Sequence, residues 1–427
     1  MNKRHIGVAA ATLLTALTMT ACSGGNPVND NTPTKREITV ALWSYDIGPE
    51  YHALVEGFRA THPDITVNIE DIPPADYATK MTAELAGGSN VDVFGLKNTV
   101  DFAKWQQAGH VMDITDLVDK LDYKDKLAGV DSYKIDGVYG ALPYRSDLWI
   151  LYYNKDLFDK AGKDYPKPGM TWQDFADLSC QMTSGEGDSK VYGSYIHKWP
   201  LILEGIAAAQ SNGDFMSGDY GYMKPMLQMA LDLQDKGCIM SYGEMDQSKT
   251  TYNTMFQTEK AAMVPMGTWF MSNNVPQKGI DSPLVNWSIA TLPQPKAGGK
   301  YVTMQGAPTG FSVNSHAQNP EDAKTFIEWC AGPEGAKTIA AKAVWPAYTD
   351  DTIMDTLLAV EGMPTDDGAK KALKPDLAKI EAPTDPKAPD VEQLRAQEFS
   401  LIMTGSESLD DGIKNLEDQV KSQVLAG

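Results

Sequence analysis

Four cysteines and six histidines in 427 residues leave little from which to build a metal centre, and the histidines never pair at ligand spacing. A G-x-x-x-x-G-K-[ST] phosphate loop, a G-x-S-x-G elbow, an H-E-x-x-H helix and a C-x-x-C pair are all missing. Their absence removes the commonest short signatures of nucleotide, acyl-transfer, zinc and redox chemistry, so neither cofactor nor metal is expected. Positive charge is short as well: 37 Lys and Arg against 57 Asp and Glu give a net charge of −20. A broad nucleic-acid footprint needs concentrated positive charge and is excluded; the acidity reads as solubility. With so many carboxylates an acid and base pair could be drawn almost anywhere, yet glycoside hydrolysis demands a set separation that sequence does not reveal. Long apolar runs are also lacking. The longest, Ile6 to Ala16, falls well below the roughly 20 residues that span a bilayer.

What that run does fit is a secretory signal, because Lys3 and Arg4 precede it. Residues 1–21 are therefore expected to be removed. The end of the segment, Met19-Thr20-Ala21-Cys22, resembles a bacterial lipobox with Met19 where leucine is usual. In that reading Cys22 receives a diacylglyceryl thioether, and its two acyl chains anchor the product stably. Residues 22–36, rich in Gly, Asn, Pro and Thr, have too little apolar surface to fold and read as a flexible tether. The competing reading is a plain secreted protein in which Cys22 is incidental.

Three cysteines remain, which allows at most one internal disulfide. Cys330 shares a helical face with Ala323, Phe326 and Ile327 and reads as a buried thiol. Cys180 and Cys238 are the best candidates for a possible disulfide in an extracytoplasmic setting, although spacing alone does not give their distance.

The rest of the chain is long enough for two domains. "ITVALW" has strand composition; "GPEYHALVEGFRA" puts Tyr51, Leu54, Val55 and Phe58 on one helical face after Pro49; "DITVNIE" is again a strand. This βαβ unit implies a parallel sheet. A helix over Tyr77 to Ala86 should stop at Gly87-Gly88, and "VDVFGL" supplies a further buried strand. A second α/β stretch opens at "LWILYYNKDLF", read as a strand running into a helix-breaking turn. It continues through "PGMTWQDFADL", where Thr171 and Asp174 can form a capping box. After Thr349 the chain reads as mainly helical, with Pro-rich interruptions at 382–389. Its last helix should present Leu409, Ile413, Leu416 and Val420 on one face.

Aromatic residues recur in loops beside polar ones: "LWSYDIGPE", "LPYRSDLW", "HKWP", "MGTWF" and "KAVWPAY". A sugar ring has polar edges and an apolar C–H face, so it lies flat on an indole while carboxylates, amides and arginines bind its hydroxyls. Trp105 and Trp287 read instead as core. Five such places together favour a carbohydrate cleft.

From Glu37 onward the chain resembles the extracellular solute-binding proteins of bacterial ABC sugar importers, the family 1 group that includes maltose-binding protein. The marks are "LPYRSDLWILYYNKDLF", "MTWQDF", "EKAAMVPMGTWF" and "GAPTGFSVNSHAQNPEDAKTFIEWCAGPEGA", in that order and spacing. The resemblance implies an α/β, two-lobe fold of the periplasmic-binding-protein type II, with ligand in the interlobe cleft and lobes joined by crossing hinge segments. Lobe one is expected at 37–147 and 311–344, lobe two at 148–310 and 345–427. The crossings would fall near 147–151, 308–311 and 342–349.

The same resemblance places Trp43, Tyr45 and Asp46 in the loop after the first strand, with Glu50 nearby and Lys97 and Asn98 at the matching edge. Tyr144, Arg145 and Asp147 would stand at the first crossing. Trp269 matches the family's stacking tryptophan, Gln305 and Gly306 precede the second crossing, Trp345 adjoins the third, and Trp199 joins from a variable stretch. The implied protein is a monomer that is no enzyme: a lipid-anchored receptor on the outer face of a Gram-positive cell membrane. It captures a mono- or oligosaccharide by hinge closure and delivers it to ABC permease subunits. The alternatives are a secreted carbohydrate-active glycoside hydrolase and, with different cleft chemistry, a receptor for peptides or polyamines.

Overall fold

The computed structural model describes residues 36–45, 48–276, 285–381, 385 and 387–426. The expected signal, the tether up to residue 35 with its lipidation site Cys22, and the candidate ligand residue Asp46 lie outside them; Arg36, expected as the tether's last residue, is ion-paired with Asp64 and Asp322.

The first βαβ unit forms as its periodicity dictates. Strand β1 (Glu37–Trp43) leads into the helix Pro49–Thr61, which buries Tyr51, Leu54, Val55 and Phe58, and returns as β2 (Thr66–Ile72), paired parallel to β1 in register Glu37 to Thr66. After the helix Tyr77–Ala86, β3 (Val93–Leu96) joins the other side of β1, also parallel. A small hairpin of β4 (Lys134–Ile135) and β5 (Val138–Tyr139) precedes β6 (Leu142–Arg145). Alternation along β1 sends Ile38, Val40 and Leu42 into the main core and Ala41 into a second one with Tyr77, Phe94 and Trp105. Helices thus cover both faces of this sheet.

The second sheet takes β7 (Trp149–Asn154), β8 (Tyr192–Ser194), β9 (Ala261–Gly267) and β10 (Trp287–Ala290) in the order β10-β7-β9-β8. β7 and β9 are buried along their whole length, as their unbroken apolar composition requires. β7 runs into a helix, Lys155–Ala161, where a breaking turn was expected. Asn154 caps it by accepting a hydrogen bond from the Leu157 N–H (3.0 Å), and Gly162 closes it at φ 63°. The capping box at Thr171 and Asp174 forms. Cys180, on the capped helix, is disulfide-bonded to Cys238, with Cα atoms 4.7 Å apart, and Cys330 is a buried free thiol.

Two further strands flank the second passage between the sheets. β11 (Val302–Gln305) pairs with a strand the sequence reading missed, β13 (Leu377–Ile380), whereas β12 (Thr309–Val313) inserts antiparallel between β3 and β6. The first sheet therefore has the order β2-β1-β3-β12-β6. The chain passes between sheets through Ser146–Leu148 and again through Gly306–Pro308.

The later return differs from the expectation that residue 345 opens lobe two. The Ala347 N–H donates to the Tyr144 carbonyl (2.9 Å), the Ala347 carbonyl accepts from Ala128 (3.0 Å), and the helix Asp351–Leu358 packs on the helix Pro333–Ala340. These contacts keep 345–358 with the first half. The helix Asp367–Ala372, packed on β10, is the first element beyond it in the second half.

Candidate functional site

The passage from β6 to β7 carries a chain of charges. Arg145, at the end of β6, pairs with Glu50 on the first helix and, through Nε, with Asp147 Oδ2 at 3.0 Å; its Nη2 donates to Thr309 Oγ1 (3.2 Å). The other carboxylate oxygen of Asp147 accepts from the Thr268 hydroxyl (2.8 Å), which in turn accepts from the Leu148 N–H (3.1 Å). The Asp147 carbonyl accepts from the Gly306 N–H (2.7 Å), and Gln305 Nε2 donates to Ser146 Oγ (2.7 Å). Burial pushes the Asp147 carboxyl above its ordinary range, against the pull of Arg145 and Thr268. The first strand-to-strand passage, with the strand ends that flank it, is thus bonded to the second passage and its flanking strands by Asp147–Gly306, Ser146–Gln305 and Arg145–Thr309.

Trp269 follows from the end of β9. Its indole lies over Gly267, where a Cβ would stand 1.8 Å from Cζ3, so glycine is required there. The ring is partly exposed and meets Trp149 edge-on, with centroids 5.2 Å apart. Trp199, at the start of the helix Pro200–Ser211, lies 6.4 Å from Trp269 and 5.8 Å from Tyr252. At 39 % exposure it is one of the few large apolar side chains left open to water.

A cavity of about 260 Å³ opens beside Trp199. One wall is Asn98, Thr99 and Val100 from the first half; the other comes from Trp199, Phe215 and the helix Ala388–Met403 in the second, with Glu381 facing in as well. Asn98 spends its amide on capping the helix Thr99–Gln107, accepting from the Asp101 N–H (2.8 Å). Thr99 is buried and its hydroxyl has no hydrogen-bond partner. Arg395 is held by Glu204 (2.7 Å) and lies 3.6 Å over the Phe215 ring, so its charge is already engaged. Burial raises the carboxyl of Glu392, and that of Glu381 is pushed up to about 7.

The expected site residues thus fall into separate groups. Glu50, Tyr144, Arg145, Asp147, Gln305 and Gly306 gather at the two passages, with Trp269 against them. Trp43 and Lys97 form a second group: the Lys97 ammonium sits 5.0 Å above the Trp43 ring, and its Nζ donates to the Pro74 carbonyl. Tyr45 stands at the same edge, its N–H bonded to Asp71 (3.2 Å). Asn98 and Trp199 line the cavity itself. Trp345 is only 7 % exposed and packs in the main core. Sequence reasoning missed Glu381, Glu392, Arg395 and Phe215. Glu381 directly follows the unrecognised strand β13, and the next two belong to a tail segment read only as mainly helical.

A family model described as bacterial extracellular solute-binding protein matches residues 44–337. The structure is similar to that of a sugar transporter from Rhizobium etli solved in an open conformation (TM-score 0.77, 33% identity, 90% of this chain and 99% of that one). It is also similar to an ABC substrate-binding protein from Listeria monocytogenes in complex with cycloalternan (TM-score 0.74, 23% identity, 91% of this chain and 98% of that one). Among curated sequences, an sn-glycerol-3-phosphate-binding periplasmic protein from Pectobacterium atrosepticum is 23% identical over 314 residues, 68% of this chain and 68% of its own length.

Proposed function

Because this chain belongs to the bacterial extracellular solute-binding protein family, we propose that it captures a mono- or oligosaccharide between two lobes and hands it to an ABC permease. The observation that carries this reading is the cavity walled by both halves of the chain, with the exposed Trp199 in its wall and the partly exposed Trp269 next to that ring, 6.4 Å away. An indole open to water at a cleft mouth can take the apolar face of a pyranose, and Glu381, Glu392 and Thr99 can bind hydroxyls. The sugar transporter from Rhizobium etli supports the same ligand class.

A phosphorylated polyol fits less well. Arg395, the cation among the described lining residues, is already paired with Glu204, and Glu381 and Glu392 face the same space, so a dianion would meet two carboxyl groups there.

The lobes in this proposal are 37–147 with 311–358, and 148–310 with 363–426. Ligand that touches both favours the closed arrangement, because only there are both sets of contacts made. The lipid anchor at Cys22, the Gram-positive surface, the monomeric state and the absence of turnover belong to the same proposal; they rest on the sequence and on the family. An anchored receptor stays near its permease and raises the effective concentration.

Calorimetric titration against a panel of neutral mono-, di- and trisaccharides tests the reading, with product analysis of each mixture. Saturable binding without bond cleavage, together with a smaller radius of gyration in scattering from the bound protein, is the expected result. Release of cleaved sugar would instead favour a hydrolase.

A further inference from the structure

Glu381 stands where the two passages between the sheets and the ligand cavity meet. Trp149, the first residue of β7, donates its indole N–H to Glu381 Oε2 (3.1 Å), and the Ala307 backbone N–H also bonds to this carboxyl group. The Glu381 N–H donates to the Gln305 carbonyl (2.9 Å), and a Cβ on Gly306 would lie 3.7 Å from Glu381 Oε2 and 3.5 Å from Asp147 Cβ. The same side chain lines the cavity. One carboxyl group is therefore bonded to the strand that follows the first passage and to the second passage itself, and it faces the space where ligand is proposed to sit.

We propose that Glu381 is a positioning residue that couples occupancy of the cleft to the hinge, so that ligand affinity follows its protonation. This rests on the sugar-binding reading above and adds its regulation.

The direction follows from the surroundings. Asp147 faces Glu381 from the first passage and Glu392 from the helix Ala388–Met403, and both oppose a negative charge. Arg395 on that helix is engaged by Glu204, and Arg145 by Glu50 and Asp147. Across the cavity the first half offers Asp101, whose charge reaches Glu392, and Lys97, which already donates to Pro74. Burial outweighs the two N–H donors and raises the carboxyl to about 7. A neutral sugar filling the cavity would displace water from this carboxyl, beside which Asp147 and Glu392 already oppose a negative charge. The bound state thus favours the protonated form, and binding takes up a proton.

The test is calorimetric titration of the full mature chain with the tightest neutral sugar from the panel, at pH 6 and pH 8, in two buffers of different ionisation enthalpy. The expected result is net proton uptake and binding about three- to tenfold tighter at pH 6. Glu381→Gln keeps an acceptor for the two N–H groups and cannot ionise. Its affinity, whatever its absolute value, should be flat across this range. Glu381→Asp should restore a pH dependence, and Glu392→Gln should retain it. A merely structural role would lower the melting temperature of Glu381→Gln without changing the slope of affinity against pH. Sugar binding with no proton uptake, or a Glu381→Gln variant with the wild-type pH profile, overturns the proposal while the sugar reading stands. Failure of every sugar at both pH values overturns the sugar reading, and this proposal with it.

Discussion

The indole of Trp269 is folded back over the α-carbon of Gly267, two residues earlier, so tightly that any Cβ at that position would fall inside the ring. Gly267 ends β9 and Thr268 is bonded to Asp147 and Leu148, so the glycine fixes the ring relative to the first passage. Gly267→Ala should force the indole out of place, with an overpacking cost of about 1–3 kcal/mol. Sugar affinity should fall at least tenfold in the fraction that remains folded. A variant that melts and binds as wild type would show that the ring position is unimportant.

Trp199 makes the opposite case. Its ring is 39 % exposed but rests on His197, Tyr252 and Trp269, so Trp199→Ala should lower the melting temperature modestly, by less than truncation of a fully buried tryptophan such as Trp149. Loss of an aromatic anchor would nevertheless cost on the order of 2 kcal/mol in binding, roughly 30-fold in affinity. Calorimetry and a melting curve on the same sample separate the two quantities, and unchanged affinity would remove Trp199 from the site.

How far the sequence could see is clearest at particular residues. The helix Pro49–Thr61 buries the four residues its 3.6-residue period selects, because amphipathic burial is a local property. The turn expected after "LWILYY" is a helix for a related reason: the side chain of Asn154 favours turns and caps alike, and only the structure shows which it makes. β13 was invisible because "LAKI" gains strand character from pairing with β11, some 75 residues earlier. Glu381 inherits that blindness, since nothing within reach in sequence tells it from the other acidic residues. Arg145 and Asp147 stand close together in sequence, yet the pairing of Arg145 with Glu50 depends on a helix about 95 residues away. Local pattern carries the elements, whereas the cavity is made by long-range pairing.

Arg395 and Glu204 join two helices behind the cavity, with side chains 7 % and 2 % exposed. Glu204→Gln would leave the guanidinium buried without a counter-charge, and stability should fall by about 3 kcal/mol. Replacing both, as Glu204→Gln with Arg395→Met, should recover part of that loss, because the desolvation penalty of the ion disappears with it. A double variant no more stable than the single one would argue against this account.

The disulfide closes a long loop between Cys180 and Cys238, 58 residues apart, and neither cysteine lines the cavity. By the loop-entropy estimate its removal costs up to about 4 kcal/mol. The double variant Cys180→Ser, Cys238→Ser should therefore unfold at lower denaturant concentration while binding sugar with wild-type affinity. An equal loss of affinity in the folded protein would tie the bridge to the cleft, which its position does not suggest.

His197 supplies the pH dependence of stability. The Tyr195 hydroxyl spends its only proton on the Thr250 carbonyl (2.9 Å), so it must accept from His197 Nδ1 (2.9 Å); this leaves Nε2 as the nitrogen that would be protonated. Burial, with Lys198 adding to it, lowers the pKa of the imidazole from 6.5 to about 4. The unfolded chain then binds a proton near pH 6.5 that the native chain refuses until about pH 4. Stability from this group is complete above 6.5 and is lost as pH falls toward 4. Water reaching the ring past the exposed Trp199 softens the effect, so the loss should be on the order of 1–2 kcal/mol. Denaturant titrations at pH 7 and pH 4.5 measure it directly. His197→Gln, which can still donate to Tyr195, should begin somewhat less stable at pH 7 and lose less on acidification than wild type. If both proteins lose the same amount, the acid sensitivity belongs to other groups. Because His197 meets Trp199 edge-on at 4.7 Å, protonation of the imidazole would also disturb the aromatic platform, so sugar affinity of the wild type should weaken below pH 5.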